Sequence, residues 1–273
     1  MSIVSFKKLL KKEKKVVSIV SFKELLKKKK KLLGSIVHIP AEEVVEIIGH
    51  AGYDMVFIDT EHVPYGVETA QRLILAAHAV DICPLARVSS VTDDWVRKLL
   101  DAGAAGIIFP NISSAEDAKL AVSLTKYAPM GTRGACPNVR AAKYGLSAGP
   151  GYYEQANKDT AVMLIIETID GVNNLDEILE VPGIDAINLG PYDLSVSMGL
   201  GGQVYHPDVM EKLMIIMEKA HAKNLPAGIY VKDIEKAKEW FAKGIDFMWY
   251  ETDVSLLVRI YSRDRELFKK ILE

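Results

Sequence analysis

Three ionisable side chains come directly after an apolar run in residues 55–64, MVFIDTEHVP. The run predicts a strand that is buried on both faces, as strands of parallel sheets are. Asp59, Glu61 and His62 follow it, and enzymes with parallel sheets place catalytic groups at this edge. The segment therefore predicts acid–base chemistry. The alternative is that the two acids cap the next helix and that His62 is solvated.

Two further carboxylates follow consecutive predicted strands. Glu167 follows AVMLII, and Asp193 follows AINL after the short segment GPY. Neighbouring strands lie about 4.8 Å apart, so the two carboxylates can converge on one cation. Mg²⁺ suits such oxygen ligands, Mn²⁺ or Co²⁺ would also fit, and no His-rich or Cys-rich set in the sequence competes for a softer metal. The alternative is that each carboxylate caps a helix.

Arg87 ends the strand that follows the one carrying His62. A guanidinium at that edge can clamp a carboxylate or stabilise a developing enolate oxygen. Because an unpaired arginine at a buried strand end is costly, we expect a partner. An internal salt bridge with Asp59 or Glu61 is the alternative role, and the two roles can coexist. His62 is the natural general acid–base, because histidine exchanges protons near neutral pH.

Apolar periodicity and turn residues predict alternating strands and helices from residue 33 onward. The strands are predicted over 33–39, 55–59, 83–88, 106–109, 161–167, 186–189, 226–231 and 247–250. The helices are predicted over 41–52, 67–79, 94–102, 114–127, 172–180, 207–223, 232–243 and 254–272. This alternation favours an α/β fold, a (β/α)8 TIM barrel. A doubly wound sheet is the competitor, but no glycine-rich nucleotide motif follows the first strand.

In a barrel, the other strand ends add polar residues to the same face: His38, Asn111, Thr168, Lys232, Glu251 and Asp253. The segment 128–160 is rich in Gly and Pro and interrupts the alternation. Loops of this length in compact domains are usually functional. We expect its motif GTRG, residues 131–134, to cover the site, with Arg133 reaching for a second carboxylate.

Composition limits the class of protein. The 273 residues, 49% of them hydrophobic, suit one large α/β domain. Residues 1–33 carry a net charge of +10 and the remainder −12, which sum to −2, and an acidic body argues against nucleic-acid binding. The apolar runs are too short to cross a bilayer, and no signal peptide is evident. We therefore expect a cytoplasmic protein without nucleic-acid or membrane partners.

The chain divides into a lysine-rich helical segment, residues 1–33, and a barrel domain, residues 34–273. Residues 2–17, SIVSFKKLLKKEKKVV, recur almost unchanged as residues 18–33, SIVSFKELLKKKKKLL, a 16-residue tandem repeat. Each copy places Phe, Leu and Leu at helical spacing before a lysine run, which favours an additional docking helix with a solvated basic end. A patch for anionic membranes or nucleic acid is the alternative.

Six motifs carry a resemblance to a known family: IDTEHVP (58–64), LARVSS (85–90), KLLDAGAAG (98–106), GTRG (131–134), IIET (165–168) and GPYDLS (190–195). From about Phe22 to the carboxyl end, the chain resembles the HpcH/HpaI-type class II pyruvate aldolases, typified by 4-hydroxy-2-oxoheptanedioate aldolase. The resemblance implies a divalent-metal-dependent TIM barrel that reversibly cleaves a 4-hydroxy-2-oxo acid to pyruvate and an aldehyde through a metal-bound pyruvate enolate. It also implies a homo-oligomer, a hexamer or trimer, that exchanges the last helix between subunits.

The resemblance also implies roles for individual residues. Glu167 and Asp193 would hold the divalent cation, Mg²⁺, Mn²⁺ or Co²⁺. Arg87 would steady the pyruvate enolate, and His62 would be the catalytic base. The backbone N–H groups of Tyr192 and Asp193 would hold the substrate carboxylate.

Asp101, in KLLDAGAAG, matches the acid that raises the basicity of the histidine. Because the end of the third predicted helix lies at the opposite end of its own barrel, Asp101 would have to act across a subunit contact. Two positions depart from the family: Ile165 stands where a glutamine usually contacts the keto acid, and Tyr192 stands where a small residue is usual.

Two other classes of function stay open at this point. The first class comprises enzymes that form an enolate but give a different product: an oxaloacetate decarboxylase, a macrophomate synthase-like enzyme or an acyl-CoA lyase. The non-enzymatic hypothesis is an assembly scaffold or regulatory binder that works through the lysine-rich repeats.

Overall fold

A computed structural model of the chain, which describes residues 20–272, contains a closed barrel of eight parallel strands. The strands are β1 Leu32–Val37, β2 Met55–Asp59, β3 Cys83–Arg87, β4 Gly106–Phe109, β5 Ala161–Ile166, β6 Ala186–Leu189, β7 Ala227–Val231 and β8 Phe247–Thr252. Each strand pairs with its neighbour in chain order, and β8 closes the barrel against β1. The predicted (β/α)8 TIM barrel is therefore confirmed.

Helices separate the strands and surround the barrel. Within residues 20–272 they are α1 Phe22–Lys28, α2 Glu42–His50, α3 Val67–Ala79, α4 Asp93–Ala102, α5 Ala115–Thr125, α6 Tyr152–Asp159, α7 Ile169–Asn173, α8 Leu175–Leu179, α9 Pro191–Ser197, α10 Pro207–Ala222, α11 Ile234–Lys243 and α12 Asp253–Leu272. The prediction of one helix over 172–180 is wrong, because Asn174 leaves the helical conformation between α7 and α8. The short helix α9 was not predicted; Pro191 begins it, at the position where a missing N–H does no harm.

The barrel interior is filled by every second residue of the strands. The Trp249 ring centroid lies 5.1 Å from that of Phe57 and 6.0 Å from that of Phe247, both in edge-on contacts. Glycine is required on the two strands that flank Trp249. A Cβ on Gly34 would lie 2.4 Å from the Trp249 ring, and one on Gly228 would lie 1.9 Å from the Phe247 ring. Large rings beside glycines therefore form a largely apolar floor beneath the carboxyl face.

Helix α1 closes the amino end of the barrel, so the predicted additional helix is present. Phe22 is fully buried, and its ring meets that of Phe247 edge-on, with 5.3 Å between centroids. Lys23 Nζ lies 2.8 Å from one oxygen of Asp185, and the buried Lys126 lies 3.2 Å from the other. One aromatic anchor and one shared carboxylate therefore attach α1 to the barrel.

The tandem repeat is described in part. Its second copy supplies α1 and the start of β1 at Leu32. The first copy, residues 2–17, lies outside the described residues. The division of the chain into residues 1–33 and 34–273 stays a prediction.

A second apolar core lies between the barrel and the helices. Outward-facing strand residues such as Ile58 and Val162 belong to it, together with helix residues such as Leu73 and Leu213. Each of these helices buries one face, as amphipathic periodicity predicts. No helix within residues 20–272 combines the length and the hydropathy needed to cross a membrane.

The inward alternation also determines which side chains reach the carboxyl rim. The last inward-facing residue of several strands is polar, and it is either the final residue of the strand or the one after it. These residues are His38, Asp59, Arg87, Glu167 and Lys232. The apolar floor thus ends abruptly in a layer of charged and hydrogen-bonding side chains.

Candidate active site

A cavity of about 320 Å³ opens at the carboxyl face of the barrel. Ile165 and Trp249 contribute to its apolar floor. Polar side chains line its rim: His38, His62, Arg87, Glu167, Tyr192, Asp193 and Lys232. Five of the six predicted site residues therefore meet at one cavity, and Asp101 is the one that does not.

Arg87 is held in place by two carboxylates. Its Nε and Nη2 donate to the two oxygens of Asp59 at 2.9 and 2.8 Å, and Glu61 Oε2 lies 3.1 Å from Nε. Asp59 Oδ2 also lies 3.0 Å from His38 Nε2. Burial opposes ionisation of Asp59, but hydrogen bonds from His38 and Arg87 outweigh it and hold the pKa of Asp59 below its usual range. The internal salt bridge is therefore present, while Arg87 still lines the cavity.

Glu167 is a buried carboxylate at the end of β5. The residue is 4% exposed, and the backbone N–H of Asn111 donates to its Oε1 at 2.7 Å. Burial raises the pKa of Glu167 to about 7, against the Asn111 hydrogen bond, and the charge of Asp193 adds to the rise. Glu167 thus lies where its negative charge is disfavoured unless a cation is near.

Two backbone positions let Glu167 lie over the end of β6. A Cβ on Gly190 would lie 2.3 Å from Glu167 Cβ and 2.7 Å from Oε2, so this position requires glycine. Asn111 donates its hydrogen bond from a left-handed conformation, φ 55, which asparagine tolerates better than most residues. The place of the carboxylate is therefore determined by its neighbours on both sides.

The first turn of α9 forms one wall of the cavity. The helix begins at Pro191, and Asp193 follows with an exposed carboxylate that lines the cavity. The Tyr192 ring centroid lies 6.2 Å from that of Tyr230, and Lys232 Nζ lies 5.0 Å from the Tyr192 centroid. A large aromatic ring therefore occupies part of the cavity mouth.

His62 and Asp101 are not brought together within one chain. The His62 side chain is 59% exposed, and its Nε2 lies 3.7 Å from Glu61 Oε2. Asp101, near the end of α4, accepts a hydrogen bond from Arg133 Nη2 at 2.8 Å, and Arg133 lines a different cavity, of about 570 Å³. Arg133 therefore reaches a carboxylate, as expected, but that carboxylate is Asp101, and within one chain residues 131–134 do not line the candidate site.

Sequence reasoning missed Asn188, which lines the cavity from within β6. Its Oδ1 accepts a hydrogen bond from Trp249 Nε1 at 3.0 Å. An amide inside the short apolar strand AINL was the signal that could have found it. Because alternate residues of a strand face the barrel interior, the next inward position after Asn188 is Gly190, which lies beside Glu167.

A closed parallel barrel with carboxylates, a guanidinium and histidines at its carboxyl face defines a TIM-barrel enzyme. A profile of the HpcH/HpaI aldolase/citrate lyase family matches residues 37–270, and the chain belongs to this family. It is an enzyme, a carbon–carbon lyase, as the resemblance implied.

Similar proteins cover most of the chain. The 2-dehydro-3,6-dideoxy-6-sulfogluconate aldolase of Pseudomonas putida is 33% identical over 226 residues, which are 83% of this chain and 88% of that protein. The hydroxypyruvate/pyruvate aldolase of Paraburkholderia phytofirmans is 36% identical over 234 residues, 84% of this chain and 89% of that protein. The HpcH/HpaI aldolase structure from Desulfitobacterium hafniense DCB-2 has a TM-score of 0.87 at 28% identity and covers 92% of this chain and 97% of its own.

Proposed function

We propose that the chain is a divalent-metal-dependent class II aldolase that reversibly cleaves a 4-hydroxy-2-oxo acid to pyruvate and an aldehyde. The observation that carries the proposal is the buried Glu167 carboxylate, which shares a cavity with Asp193 and Arg87. The similar proteins named as aldolases support the same class of reaction, and one is named for hydroxypyruvate and pyruvate.

The donor set fits a hard divalent cation. A cation between Glu167 and Asp193 would offset the cost of burying the Glu167 charge and its repulsion by Asp193, both of which raise the pKa of Glu167. Within residues 20–272, no group of three His, Cys, Asp or Glu side chains is placed to hold a metal ion. Water and substrate oxygens would therefore complete the coordination, as Mg²⁺ prefers; Mn²⁺ and Co²⁺ are the other candidates. When bound, the cation supplies Lewis-acid stabilisation of negative charge on the oxo acid.

The residues of the chain move the proton and hold the developing charge. In the cleavage direction, His62 accepts the proton of the C4 hydroxyl as the C3–C4 bond breaks, and the electron pair passes to the C2 oxygen. Arg87, fixed by Asp59, stabilises the negative charge on that oxygen. A proton delivered to C3 completes pyruvate, and the aldehyde is the second product.

The substrate carboxylate lies against the start of α9 in this proposal. The first backbone N–H groups of a helix have no acceptor within the helix, so those of Tyr192 and Asp193 are available to an anion. Both residues line the cavity. The oxo acid is thereby held with its reactive carbon between the proposed metal ligands and Arg87.

We also propose a homo-oligomer, a hexamer or a trimer, in which Asp101 approaches His62 of the partner subunit. Helix α12 supports assembly because it exposes a series of large apolar side chains: Val254, Leu257, Val258, Ile260, Tyr261, Leu267, Phe268, Ile271 and Leu272. So much exposed apolar surface is typical of an interface, and exchange of α12 between subunits would bury it. A cytoplasmic location and the lack of nucleic-acid or membrane partners stay predictions.

Incubation with pyruvate and Mg²⁺ or Mn²⁺ in D₂O tests the proposed function. Deuterium should enter the methyl group of pyruvate, because the enolate forms without any aldehyde. Glu167→Gln should abolish the exchange, while Glu177→Gln, at an exposed glutamate of α8, should leave it unchanged. The proposal fails if the wild-type protein binds the metal in calorimetry yet does not deuterate pyruvate.

A second candidate keeps the enolate chemistry but changes the reaction. It comprises decarboxylation of oxaloacetate, addition in the manner of macrophomate synthase, and acyl-CoA lyase chemistry. Ile165 and Tyr192 favour testing it, because both line the cavity and both differ from the residues that the aldolase resemblance implies. A screen of 4-hydroxy-2-oxo acids, oxaloacetate and acyl-CoA thioesters separates these reactions from aldol cleavage by their products.

A further inference from the structure

Asn188 is a buried amide at the floor of the candidate active site. It lies within β6, is 4% exposed and lines the cavity, whereas the rest of that strand is apolar. The strand register pairs Asn188 with Ile165 on β5, so the amide lies beside an apolar side chain at the same level of the barrel. Two residues further along these strands are Gly190 and Glu167. The amide therefore lies one inward step below the Glu167 carboxylate.

The orientation of this amide is determined by Trp249. An indole N–H can only donate, so the atom 3.0 Å from Trp249 Nε1 must be Oδ1 of Asn188, and Nδ2 must point the other way. Nδ2 meets no acceptor within residues 20–272. The fully enclosed polar side-chain atoms that lack a partner in this part of the chain lie elsewhere, on His78, Tyr127, Arg133 and Tyr250. Because Nδ2 is not one of these enclosed atoms and Asn188 lines the cavity, Nδ2 faces the cavity and is available to a ligand.

We propose that Asn188 is a substrate-binding residue whose Nδ2 donates a hydrogen bond to a carbonyl or carboxylate oxygen of the 2-oxo acid. The inference rests on the proposed function, which supplies the oxo acid. An oxygen that met only Ile165 and the Trp249 ring on this floor would lose its hydrogen bonds to water without replacement. Nδ2 of Asn188, on the neighbouring strand, supplies a hydrogen bond in place of one lost from water.

The same amide selects among ligands. Because Oδ1 is already bonded to Trp249, Asn188 offers the cavity only a donor. A ligand that presents an N–H or an apolar group at this point leaves a buried donor unpaired, which weakens binding. With the C2 carbonyl oxygen as the acceptor, the geometry therefore favours pyruvate over alanine, which carries an ammonium group at C2.

Two substitutions at position 188 test the donor. Asn188→Leu removes it at similar volume, whereas Asn188→Asp keeps an acceptor for Trp249 Nε1 and places a carboxylate oxygen where Nδ2 was. In calorimetry with Mg²⁺ present, pyruvate should bind about tenfold more weakly to the first variant and about 100-fold more weakly to the second. Methyl deuteration of pyruvate should fall in the same order. Asn173→Asp, at an exposed asparagine of α7, is the matched control.

A rescue variant separates hydrogen-bond donation from packing. Ile165→Gln in the Asn188→Leu background returns an amide to the adjacent strand and should recover pyruvate affinity several-fold. Mg²⁺ binding should persist in Asn188→Leu, since the proposed metal ligands are untouched. Equal pyruvate affinity in the wild type and in Asn188→Asp overturns this inference alone. A wild-type protein that binds Mg²⁺ but not pyruvate overturns the proposed function, and the inference with it.

Discussion

Glu167→Gln should stabilise the metal-free protein while it removes a proposed metal ligand. Burial raises the pKa of Glu167 from an ordinary 4.5 to about 7. At about pH 8 the folded chain therefore holds a negative charge that is better solvated in the unfolded chain. Glutamine removes this charge and keeps an oxygen that can accept the Asn111 N–H.

The difference between 4.5 and about 7 corresponds to about 3 kcal/mol of unfolding free energy. Its sign follows from proton binding, because the folded chain binds the Glu167 proton more tightly than the unfolded chain does. The penalty is absent below pH 4.5, grows as the pH rises towards 7 and is complete above about pH 7. The variant should thus gain about 3 kcal/mol at about pH 8 and almost nothing at about pH 4.

Urea unfolding with EDTA at these two pH values measures the gain, and the exposed Glu177→Gln is the control. Added Mg²⁺ should reverse the order at about pH 8 when its concentration is about 1,000 times its dissociation constant, because a ligand then stabilises a chain that binds it by about 4 kcal/mol. The reasoning is refuted if Glu167→Gln gains no stability in EDTA at about pH 8. It is equally refuted if Mg²⁺ stabilises the variant as much as the wild type.

Three other substitutions probe the site and the closure of the barrel at its amino end. Gly190→Ala forces a Cβ into the Glu167 side chain and should weaken Mg²⁺ binding in calorimetry at least about tenfold, whereas Gly149→Ala, where a Cβ meets nothing within 4 Å, should not. Arg87→Lys cannot make the two parallel hydrogen bonds to its buried aspartate partner, so turnover should fall about 100-fold with little change in metal affinity. Phe22→Ala should lower the unfolding free energy in urea by about 3–5 kcal/mol; a loss below about 1 kcal/mol would mean that α1 contributes little to closing the barrel.

The barrel and most of its rim could be predicted from the sequence, for one physical reason. Strands with two buried faces are continuous apolar runs, so the first charged residue after each run marks the carboxyl edge of the sheet. Arg87 and Glu167 were found in this way, and closure of the barrel then placed them at one cavity. The partner of Arg87 was also foreseeable, because a buried guanidinium needs a carboxylate.

The remaining features depend on contacts between residues that are far apart in the chain. The orientation of the Asn188 amide is determined by its hydrogen bond from Trp249 Nε1, and no local sequence pattern reveals that hydrogen bond. Arg133 donates a hydrogen bond to Asp101 because α4 and the long loop pack together. The motif GTRG does not indicate this packing. The raised pKa of Glu167 likewise follows from burial beside Asp193. Local spacing predicts which residues come to the rim, but not what each one meets there.

Closure of the barrel at its amino end, in the described part of the chain, leaves the carboxyl face as the approach to the site and sets an order of events. In the described part of the chain, Phe22 closes that end, and the rings of Phe57 and Trp249 fill the space below the cavity. A molecule on the floor must therefore enter first and leave last. In the proposed reaction, pyruvate departs after the aldehyde, so pyruvate should inhibit cleavage competitively and the aldehyde should inhibit it non-competitively.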